Sequence, residues 1–445
     1  MKTPIVSFLN RYQKSGTIRL HMPGHKGVGG VTEGLDVTEI CGADSLYEAS
    51  GIIKESEENA GALFGAHTYY STEGSSLSIR AMLALVCRYA SSLGKRARIL
   101  AAPNVHRVFL SAAALLDFDV EWYEGDGCDS YLSVSLDAHA LDEYLSKNSV
   151  TALYVTSPDY LGKMQDIKAL AEVCHKHGVL LLVDNAHGAY LRFLNSSLHP
   201  ITLGADIVCD SAHKTLPALT GAAYLHISRA LPSFFCENAK GAMALFGSTS
   251  PSYLILASLD KVNKYLASSY SEKLEKFLQR LDKCKAELSN HGYTLYGDEP
   301  LKLTISAKPY GYTGSSLARL LRSRGIECEF ADRDFLVLML TPENGVGAIK
   351  ALTGALLSIP KRKPIKENAP KRERGPKACS IREATLASSE TLPIDECLGR
   401  VLAEAGVSCP PAVPIATVGE VLCESAIGAM KYYGIKTARV IKKSE

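Results

Sequence analysis

A regular alternation of short apolar runs with helical patterns, between residues 63 and 226, constrains the fold more than any other feature of the sequence. Such runs are typical of strands buried on both faces of a parallel sheet. We predict strands at 98–102, 152–156, 179–184, 206–210 and 222–227 and amphipathic helices at 75–89 and 166–177. This order predicts an α/β fold in which crossover helices join a mostly parallel sheet.

The flanking segments have different patterns. Residues 1–60 are rich in Gly and are predicted to be irregular, and 253–288 are predicted to form a long helix in two pieces. A smaller α/β unit should follow, with strands at 302–306 and 335–340 and helices at 314–324 and 344–357. Residues 360–377 contain four Pro and eight Lys or Arg, which is typical of a solvated linker, although such a run could also bind an acidic partner. A short terminal module begins near residue 380.

Composition excludes several classes of protein. The chain has 445 residues, enough for one large domain and one or two smaller ones, and its formal net charge of +2 offers no broad attraction to nucleic acid or anionic membrane. No apolar run reaches the ~20 residues of a membrane span, and Met1-Lys2-Thr3-Pro4 lacks the apolar core of a signal peptide. The twelve Cys include no C-x-x-C pair, which favours reduced thiols in a cytoplasm. Cys174-His175-Lys176-His177 is interpreted as a helix end and not as a metal site, because no second Cys/His pair has zinc spacing.

Two residues at predicted strand ends indicate the chemistry. Asp184 ends the run 179–184, and Lys214 follows the run 206–210. Ligands of open α/β sheets bind outside the carboxyl ends of the strands. An enzyme that uses pyridoxal phosphate (PLP) needs an amine that bonds to the cofactor aldehyde and a carboxylate that keeps the pyridine nitrogen protonated. We interpret Lys214 and Asp184 as this pair; the alternatives are a surface lysine and a helix N-cap.

Other polar residues supply the remaining parts of such a site. Ser75 and Ser76 open a helical run, where N–H groups and hydroxyls can bind a phosphate. Three further residues lie close to Asp184 and Lys214 in sequence: His187 could touch the cofactor's ring oxygen or the substrate, Ser211 could donate to the phosphate, and His213 could lie near the amine. A fourth, after another strand end, could stack on the cofactor ring: His106. For His187 and His106 the alternative is a satisfied polar residue with no part in catalysis.

Several segments together resemble one family. Ser211-Ala212-His213-Lys214-Thr215-Leu216, with Thr220 beyond it, is similar to the cofactor-attachment signature of the Orn/Lys/Arg decarboxylases of fold type I. The other similar segments are His21-Met22-Pro23-Gly24-His25-Lys26-Gly27, Asp184-Asn185-Ala186-His187-Gly188-Ala189, and Ser248-Thr249-Ser250-Pro251-Ser252-Tyr253 ahead of Ala257-Ser258-Leu259-Asp260. The resemblance extends from about residue 4 to about residue 430 and is strongest to the short, wingless Gram-positive-type members.

The resemblance implies a domain order and an assembly. We expect an N-terminal segment at 1–60, a large PLP-binding domain at 61–270, a small α/β domain at 271–359, the basic linker at 360–378 and a C-terminal α+β module at 379–445. It also implies at least a homodimer, with the active site at the interface. Ser248 and Thr249 would then reach the phosphate in the neighbouring subunit.

The resemblance further implies the role of each site residue. Lys214 would bond to the cofactor aldehyde, Asp184 would pair with the pyridine nitrogen, and His213 would be a candidate acid beside the amine. The ring would stack on His106. The residues implied to hold the phosphate are Gly74, Ser75, Ser76 and Ser211.

The sequence departs from the family pattern at three places. Thr220 is followed by Gly221 where the family usually has Gln, which occurs in the short subgroup and does not threaten cofactor binding. Cys409-Pro410-Pro411-Ala412-Val413-Pro414 replaces Tyr-Pro-Pro-Gly-Ile-Pro, and Val418-Gly419-Glu420 replaces Pro-Gly-Glu. The last two departures put the specificity for the substrate in doubt.

The predicted function is the α-decarboxylation of a basic amino acid (arginine, lysine or ornithine), which gives agmatine or a diamine for polyamine metabolism. Glu420 is the candidate that binds the distal cation of the substrate, with Asp44 and Glu73 as weaker candidates. One alternative is another PLP enzyme, such as a lyase or an aminotransferase with Arg324 or Arg333 on the α-carboxylate. A second alternative is a non-catalytic regulatory protein that holds PLP.

Overall fold

A computed structural model describes residues 1–125, 130–370, 373–405 and 411–443. Within these residues the helices α1 to α15 are, in chain order, Pro4–Lys14, Val31–Leu35, Ile52–Phe64, Gly74–Ser92, Arg107–Leu116, Ala138–Leu145, Ile167–Lys176, Ala212–Thr215, Ser233–Ala244, Tyr253–Leu266, Tyr270–Asn290, Gly314–Arg322, Gly345–Leu357, Ile381–Leu386 and Glu424–Tyr432. The strands β1 to β14 are His67–Ser71, Arg98–Ala101, Asp119–Trp122, Ala152–Thr156, Leu180–Asp184, Ile207–Asp210, Ala223–Ile227, Thr294–Tyr296, Lys302–Ser306, Phe330–Ala331, Phe335–Met339, Ser389–Pro393, Leu402–Glu404 and Thr437–Ile441.

The chain forms two compact units that do not follow chain order. The first unit contains Met1–Ala97, Tyr144–Ser157 and Ile167–Glu275, and the second contains Arg98–Glu143, Pro158–Asp166 and Lys276–Glu445. The domain boundaries expected from the resemblance stay a prediction. In the part of the chain that the structure describes, no helix is both long and apolar enough to cross a membrane.

Five strands of the first unit pair in the order β1-β7-β6-β5-β4. Strands β4, β5 and β6 run parallel, whereas β7 is antiparallel to both of its neighbours, β6 and β1. The interior strand β5 carries apolar side chains on both faces because both faces are buried, which is why its sequence does not alternate. The carboxyl ends of β4, β5 and β6 therefore lie along one edge, where Asp184 and Asp210 are the last residues of their strands.

The second unit contains three groups of strands. Strands β2 and β3 form a parallel pair, and an antiparallel sheet has the order β10-β11-β9-β8. A three-stranded antiparallel sheet, β12-β14-β13, packs with α15 around a small core of its own, as expected of an α+β module. The fold class, α/β with a mostly parallel sheet, a smaller α/β part and this module, is confirmed.

Most predicted elements are confirmed within two residues of their ends, but the N-terminal prediction was wrong. Residues 1–60 are not irregular throughout, because they contain α1, α2 and α3. The first helix begins at Pro4, a residue whose fixed φ suits the first turn, and buries Ile5 and Leu9. Glycines between the helices concealed this periodicity in the sequence.

The basic segment 360–378 has no helix or strand in its described residues, 360–370 and 373–378. It is nevertheless hydrogen-bonded to the rest of the second unit: the N–H of Arg362 donates to the carbonyl of Tyr310, and that of Ile365 to Lys308. The guanidinium of Arg362 also lies 4.5 Å from the ring centre of Tyr312. These contacts fasten at least part of the predicted linker, while its role toward a partner stays a prediction.

Candidate active site

Lys214 and Asp184 lie at the carboxyl edge of the parallel strands of the first unit. Lys214 is in the one-turn helix α8 that directly follows β6, and Asp184 ends the adjacent strand β5. The Lys214 Nζ lies 3.1 Å from the Nε2 of His187, in the turn after Asp184. The structure thus brings the three residues together from two segments nearly thirty residues apart in sequence.

The Asp184 carboxylate is fully enclosed and accepts hydrogen bonds on both oxygens. The hydroxyl of Tyr154 donates to Oδ2 at 3.1 Å and the N–H of Ala186 to Oδ1 at 3.2 Å, while the thiol of Cys209 lies 3.5 Å from Oδ1. Burial raises the pKa of Asp184, and the attraction of Lys214 together with these donors lowers it by less. A cation bound beside Asp184 would favour its ionised form, which is what a protonated pyridine nitrogen would provide.

A group of donors that suits a phosphate lies at the start of α4. The first N–H groups of a helix have no acceptor within the helix, and those of Ser75 and Ser76 occupy this position. The Ser211 hydroxyl donates to the Ser75 hydroxyl at 2.9 Å, so the two side chains meet. The N–H of Gly74 is different, because it donates to the carbonyl of Gly221 at 2.7 Å. Because its N–H is already bonded, Gly74 would not donate that N–H to a phosphate.

Gly221, which replaces the Gln of the family signature, has a local structural reason. Its φ of +94° is a conformation that L side chains rarely adopt, and an added Cβ would meet the carbonyl oxygen of Thr72 at 2.8 Å. The close approach places its own carbonyl against the N–H of Gly74. The departure at Gly221 thus tightens the turn that leads into α4.

His213 precedes Lys214 and lies next to the start of α4. Its Nδ1 is 3.0 Å from the carbonyl of Ala222, so this nitrogen carries the hydrogen and donates. Burial lowers the pKa of His213, the Ala222 carbonyl raises it, and Lys214 lowers it again. The neutral ring is favoured, with Nε2 able to accept a proton.

His106 and Glu420 belong to the second unit. His106 is the N-cap of α5, where its Nδ1 accepts the N–H of Val108 at 3.3 Å, and its stacking on the cofactor stays a prediction. Glu420 is buried and forms an ion pair with Arg374, whose guanidinium lies 4.6 Å from the ring centre of Trp122. A substrate cation would have to compete with Arg374 for Glu420. Of the altered segment near them, Cys409 and Pro410 lie outside the described residues, and the Ala412 carbonyl accepts the N–H of Arg107.

Ser248, Glu73 and Asp44 have contacts within the first unit. Ser248 and Thr249 are exposed, and the N–H of Ser248 donates to the carboxylate of Glu73 at 2.6 Å, next to Gly74. The Asp44 carboxylate accepts backbone N–H groups around the start of α3, which leaves it a structural role. Their proposed contacts with substrate or with a neighbouring subunit stay predictions.

Sequence reasoning missed Tyr154 and Thr156 on β4. Tyr154 bonds to Asp184, and Thr156 is opposite Asp184 in the register of the two strands. Among the described residues, no partner of the buried Thr156 hydroxyl is found. Their signal was the polar atoms near the end of a buried strand, which periodicity does not single out.

The residues present fit PLP. The amine of Lys214 can bond to an aldehyde, buried Asp184 calls for a cation, and the donors at the start of α4 suit a phosphate. The buried hydroxyl of Thr156 offers a further polar contact beside Asp184. When bound, PLP supplies an aldehyde that captures amines and a ring that accepts electrons from Cα of an amino acid.

Comparison with known proteins identifies the family. The sequence model of the family described as "Orn/Lys/Arg decarboxylase, major domain" matches residues 3–298. The arginine decarboxylase of Bacillus subtilis (strain 168) is 29% identical over 96% of this chain and 92% of its own length. The arginine decarboxylase of Halalkalibacterium halodurans is 28% identical over 100% of this chain and 98% of its own.

Solved structures agree on the fold. The Francisella novicida lysine decarboxylase LdcF superposes with a TM-score of 0.80 at 16% identity, over 99% of this chain and 81% of that one. At such identity the likeness concerns the fold, which is that of fold type I PLP enzymes. The matched family, together with a site whose residues suit PLP, makes the chain a PLP-dependent amino acid decarboxylase. The protein belongs to the Orn/Lys/Arg decarboxylase family.

Proposed function

We propose that this protein removes the α-carboxylate of a basic amino acid, with arginine as the first candidate substrate and lysine and ornithine as the others. The product would be agmatine or a diamine, which points to a role in polyamine metabolism. The observation that carries the proposal is the meeting of the Lys214 amine, His187 and the enclosed Asp184 at one strand edge. Arginine comes first because relatives matched along nearly their whole length are named arginine decarboxylases.

Each residue has a task in this reaction. The bond between Cα and the carboxylate breaks, its electron pair stays with the substrate, CO2 leaves, and a proton must then be added at Cα. With PLP bound, Asp184 would stabilise positive charge at the pyridine nitrogen, so that the ring would accept the electron pair more easily. Neutral His213 is suited to take up a proton at Nε2 and deliver it to Cα. Removing water from around the substrate carboxylate would favour the loss of CO2, because the charge of that carboxylate is dispersed as the bond breaks.

The distal end of the substrate is the least defined part of the proposal. A guanidinium or ammonium group needs a carboxylate, and Glu420 stays the candidate. Its ion pair with Arg374 already compensates its charge, which counts against the assignment. An unchanged KM for the basic substrate in Glu420→Gln would remove Glu420 from this role.

We further propose that the protein works in the cytoplasm as a homodimer or a larger homo-oligomer. The exposed segment with Ser248 and Thr249 would contribute to the phosphate site of the neighbouring subunit. Sedimentation of the purified protein tests the oligomeric state. Mixing of Lys214→Ala and Thr249→Ala chains tests whether Thr249 contributes to the neighbouring site. Recovery of activity in the mixture would support shared sites, and a purely additive result would contradict them.

The test of the reaction is release of CO2 from arginine, lysine and ornithine by the protein loaded with PLP. Lys214→Ala should abolish the release, while the exposed Lys168→Ala in α7 serves as a matched control and should leave it unchanged. Incubation with 2-oxoglutarate separates the alternatives, since formation of glutamate would indicate transamination. Bound PLP without turnover of any amino acid would indicate a regulatory protein.

A further inference from the structure

Five polar side chains form a buried network beneath the candidate site, in the first unit. In order across the sheet they come from β1, from β7, from the end of β6 and from the turn after β5, and a fifth comes from the loop before β6: Thr68, His226, Asp210, Asn185 and His199. We call them the transverse network. All are enclosed, and Asn185, His199, Asp210 and His226 have no exposed surface.

Asp210 is the centre of the transverse network. Its Oδ2 lies 2.9 Å from Nε2 of His199 and 3.1 Å from Nε2 of His226, and its Oδ1 accepts the side-chain amide of Asn185 at 2.7 Å. Toward the neighbouring strand β1, Nδ1 of His226 is 2.9 Å from the Thr68 hydroxyl. Four adjacent strands are therefore linked by side chains, in addition to their backbone bonds.

The contacts define the hydrogen on each ring. Nδ1 of His199 accepts the N–H of Ile201 at 3.3 Å, so its Nε2 carries the hydrogen and donates to Asp210. With Nε2 of His226 donating as well, Nδ1 of His226 accepts the Thr68 hydroxyl. Burial raises the pKa of Asp210, but the attraction and the hydrogen bonds of the two His outweigh it and leave the pKa far below its usual range. Asp210 is thus an ionised carboxylate that accepts three hydrogen bonds.

Such a cluster has the composition of a metal site, but its hydrogen bonds are those of a closed network. A metal ligand needs a lone pair on the coordinating nitrogen, and Nε2 of His199 carries a hydrogen because Nδ1 is an acceptor. Two imidazoles and one carboxylate are the protein ligands of some catalytic zinc sites, but those sites keep an open position for water, and His199, Asp210 and His226 have no exposed surface. The network is accounted for without a metal ion.

The transverse network includes residues of the two segments that carry Asp184 and Lys214. Asp210 is the last residue of β6, four residues before Lys214, and Asn185 directly follows Asp184. The N–H of Asn185 donates to the carbonyl of Cys209 at 3.0 Å, so its backbone and its side chain both hold the end of β6. The two segments that carry the candidate catalytic groups are joined here.

We propose that Asp210 is a positioning residue, which acts through Asn185, His199 and His226 to hold Asp184 and Lys214 in the geometry that binds PLP. The proposal rests on the proposed function only in its need for PLP binding. Asp210 itself is not proposed to contact the substrate or the cofactor.

Two substitutions separate positioning from charge. In Asp210→Asn the remaining oxygen can still accept both His, and the new amide can donate to Oδ1 of Asn185 once that side chain turns over. This oxygen is buried and without a partner among the described residues. The network then survives without its charge. Asp210→Ala removes all three bonds and leaves the turn after Asp184 held to β6 only by the backbone bond between Asn185 and Cys209.

A matched control is available in the same unit. Asp260 is equally enclosed and accepts the hydroxyl of Ser56 at 2.7 Å and the N–H of Val6 at 3.1 Å, but it lies in α10. Asp260→Ala should lower the melting temperature without changing the affinity for PLP. This variant accounts for the general cost of losing a buried carboxylate.

The experiment measures the PLP dissociation constant, the visible circular dichroism of bound PLP and the melting temperature of the PLP-free protein. We expect Asp210→Ala to weaken PLP binding by about tenfold or more and to alter the dichroism, because three hydrogen bonds to a charged group are lost. Asp210→Asn should stay within about threefold of the wild type, since its hydrogen bonds persist. If Asp210→Ala does not fold, Asn185→Ala carries the same expectation.

Three results would overturn the proposal. In the first, Asp210→Ala, or Asn185→Ala in its place, behaves like Asp260→Ala in both PLP measurements. In the second, Asp210→Asn is as damaged as Asp210→Ala, which would assign the effect to charge. The third is a stoichiometric metal ion in the wild type that is lost in Asp210→Ala. Because PLP binding is measured without substrate, a protein that binds PLP and releases no CO2 would refute the proposed function and leave this test valid.

Discussion

Removing the hydroxyl of Tyr154 should weaken the hold of the protein on PLP. This hydroxyl donates to Oδ2 of Asp184 at 3.1 Å, inside the sheet, and both side chains are enclosed. Tyr154→Phe keeps the ring and deletes one donor to the carboxylate. The ionised form of Asp184 loses stability relative to the neutral form, so the pKa of Asp184 rises.

A hydrogen bond to a charged group contributes about 1.5–3 kcal/mol. The whole of this would appear in PLP binding only if Asp184 were neutral without PLP and ionised with it. At about 1.4 kcal/mol per factor of ten, the limit is a loss of roughly 10- to 150-fold in affinity. We expect about tenfold, because Lys214 and the other donors already stabilise part of the ionised form before PLP binds.

The assay is titration of the PLP-free protein, followed by absorbance, at several pH values. Since a higher pKa of Asp184 leaves less carboxylate at acidic pH, the acid limb of PLP binding should move to higher pH in Tyr154→Phe. Tyr224→Phe is the matched control: Tyr224 is equally buried in the same sheet, and its hydroxyl has no hydrogen-bond partner among the residues that the structure describes. The control should bind PLP as the wild type does.

Equal affinities and equal acid limbs in wild type, Tyr154→Phe and Tyr224→Phe would refute the reasoning. They would mean that the Tyr154 hydroxyl does not stabilise the ionised form of Asp184. A loss in Tyr224→Phe as large as in Tyr154→Phe would also refute it, because the effect would then come from packing.

Three further predictions concern stability. Gly221→Ala should lower the melting temperature and weaken PLP binding, because the new Cβ would meet the Thr72 carbonyl at 2.8 Å at a φ of +94°; unchanged values would contradict the role given to this turn. Arg374→Ala should reduce the free energy of unfolding in urea by up to about 3 kcal/mol, since it leaves buried Glu420 unpaired, and the double variant with Glu420→Gln should recover part of the loss. Burial raises the pKa of Asp44, but backbone N–H groups outweigh it and the pKa is lowered, so its stabilisation is complete above the usual value of 3.8 and is lost as the pH falls further; Asp44→Asn should flatten this part of the acid unfolding curve.

Much of the fold was predictable because apolar residues have a different spacing along the sequence in strands and in helices. The parallel strands β4, β5 and β6 are almost entirely buried and apolar, so their sequences differ clearly from those of the helices between them. The edge strand β1 was missed because its sequence, His-Thr-Tyr-Tyr-Ser, is largely polar. Its place in the sheet comes from antiparallel pairing with β7, which is distant in sequence.

The candidate site also has residues that the sequence could name and contacts that only the structure shows. Lys214, Asp184 and the serines at the start of α4 could be named as candidates from the sequence, because a strand end followed by a polar residue is a local pattern and these segments have a recognisable order. Glu420 illustrates the limit, since its ion pair with Arg374 joins residues forty-six apart and alters what its charge can do.

The sequence by itself predicted the parallel strands β4, β5 and β6 with the helix α7 between β4 and β5, named Lys214 and Asp184 as candidates, and identified the family. Only the tertiary structure decided which donors surround Asp184, that Gly221 closes against Thr72, and that Asp210 joins four strands. The physical reason is that hydrogen bonds and burial act between groups close in space. Asp210 and Thr68 are linked through His226, although 142 residues separate them along the chain.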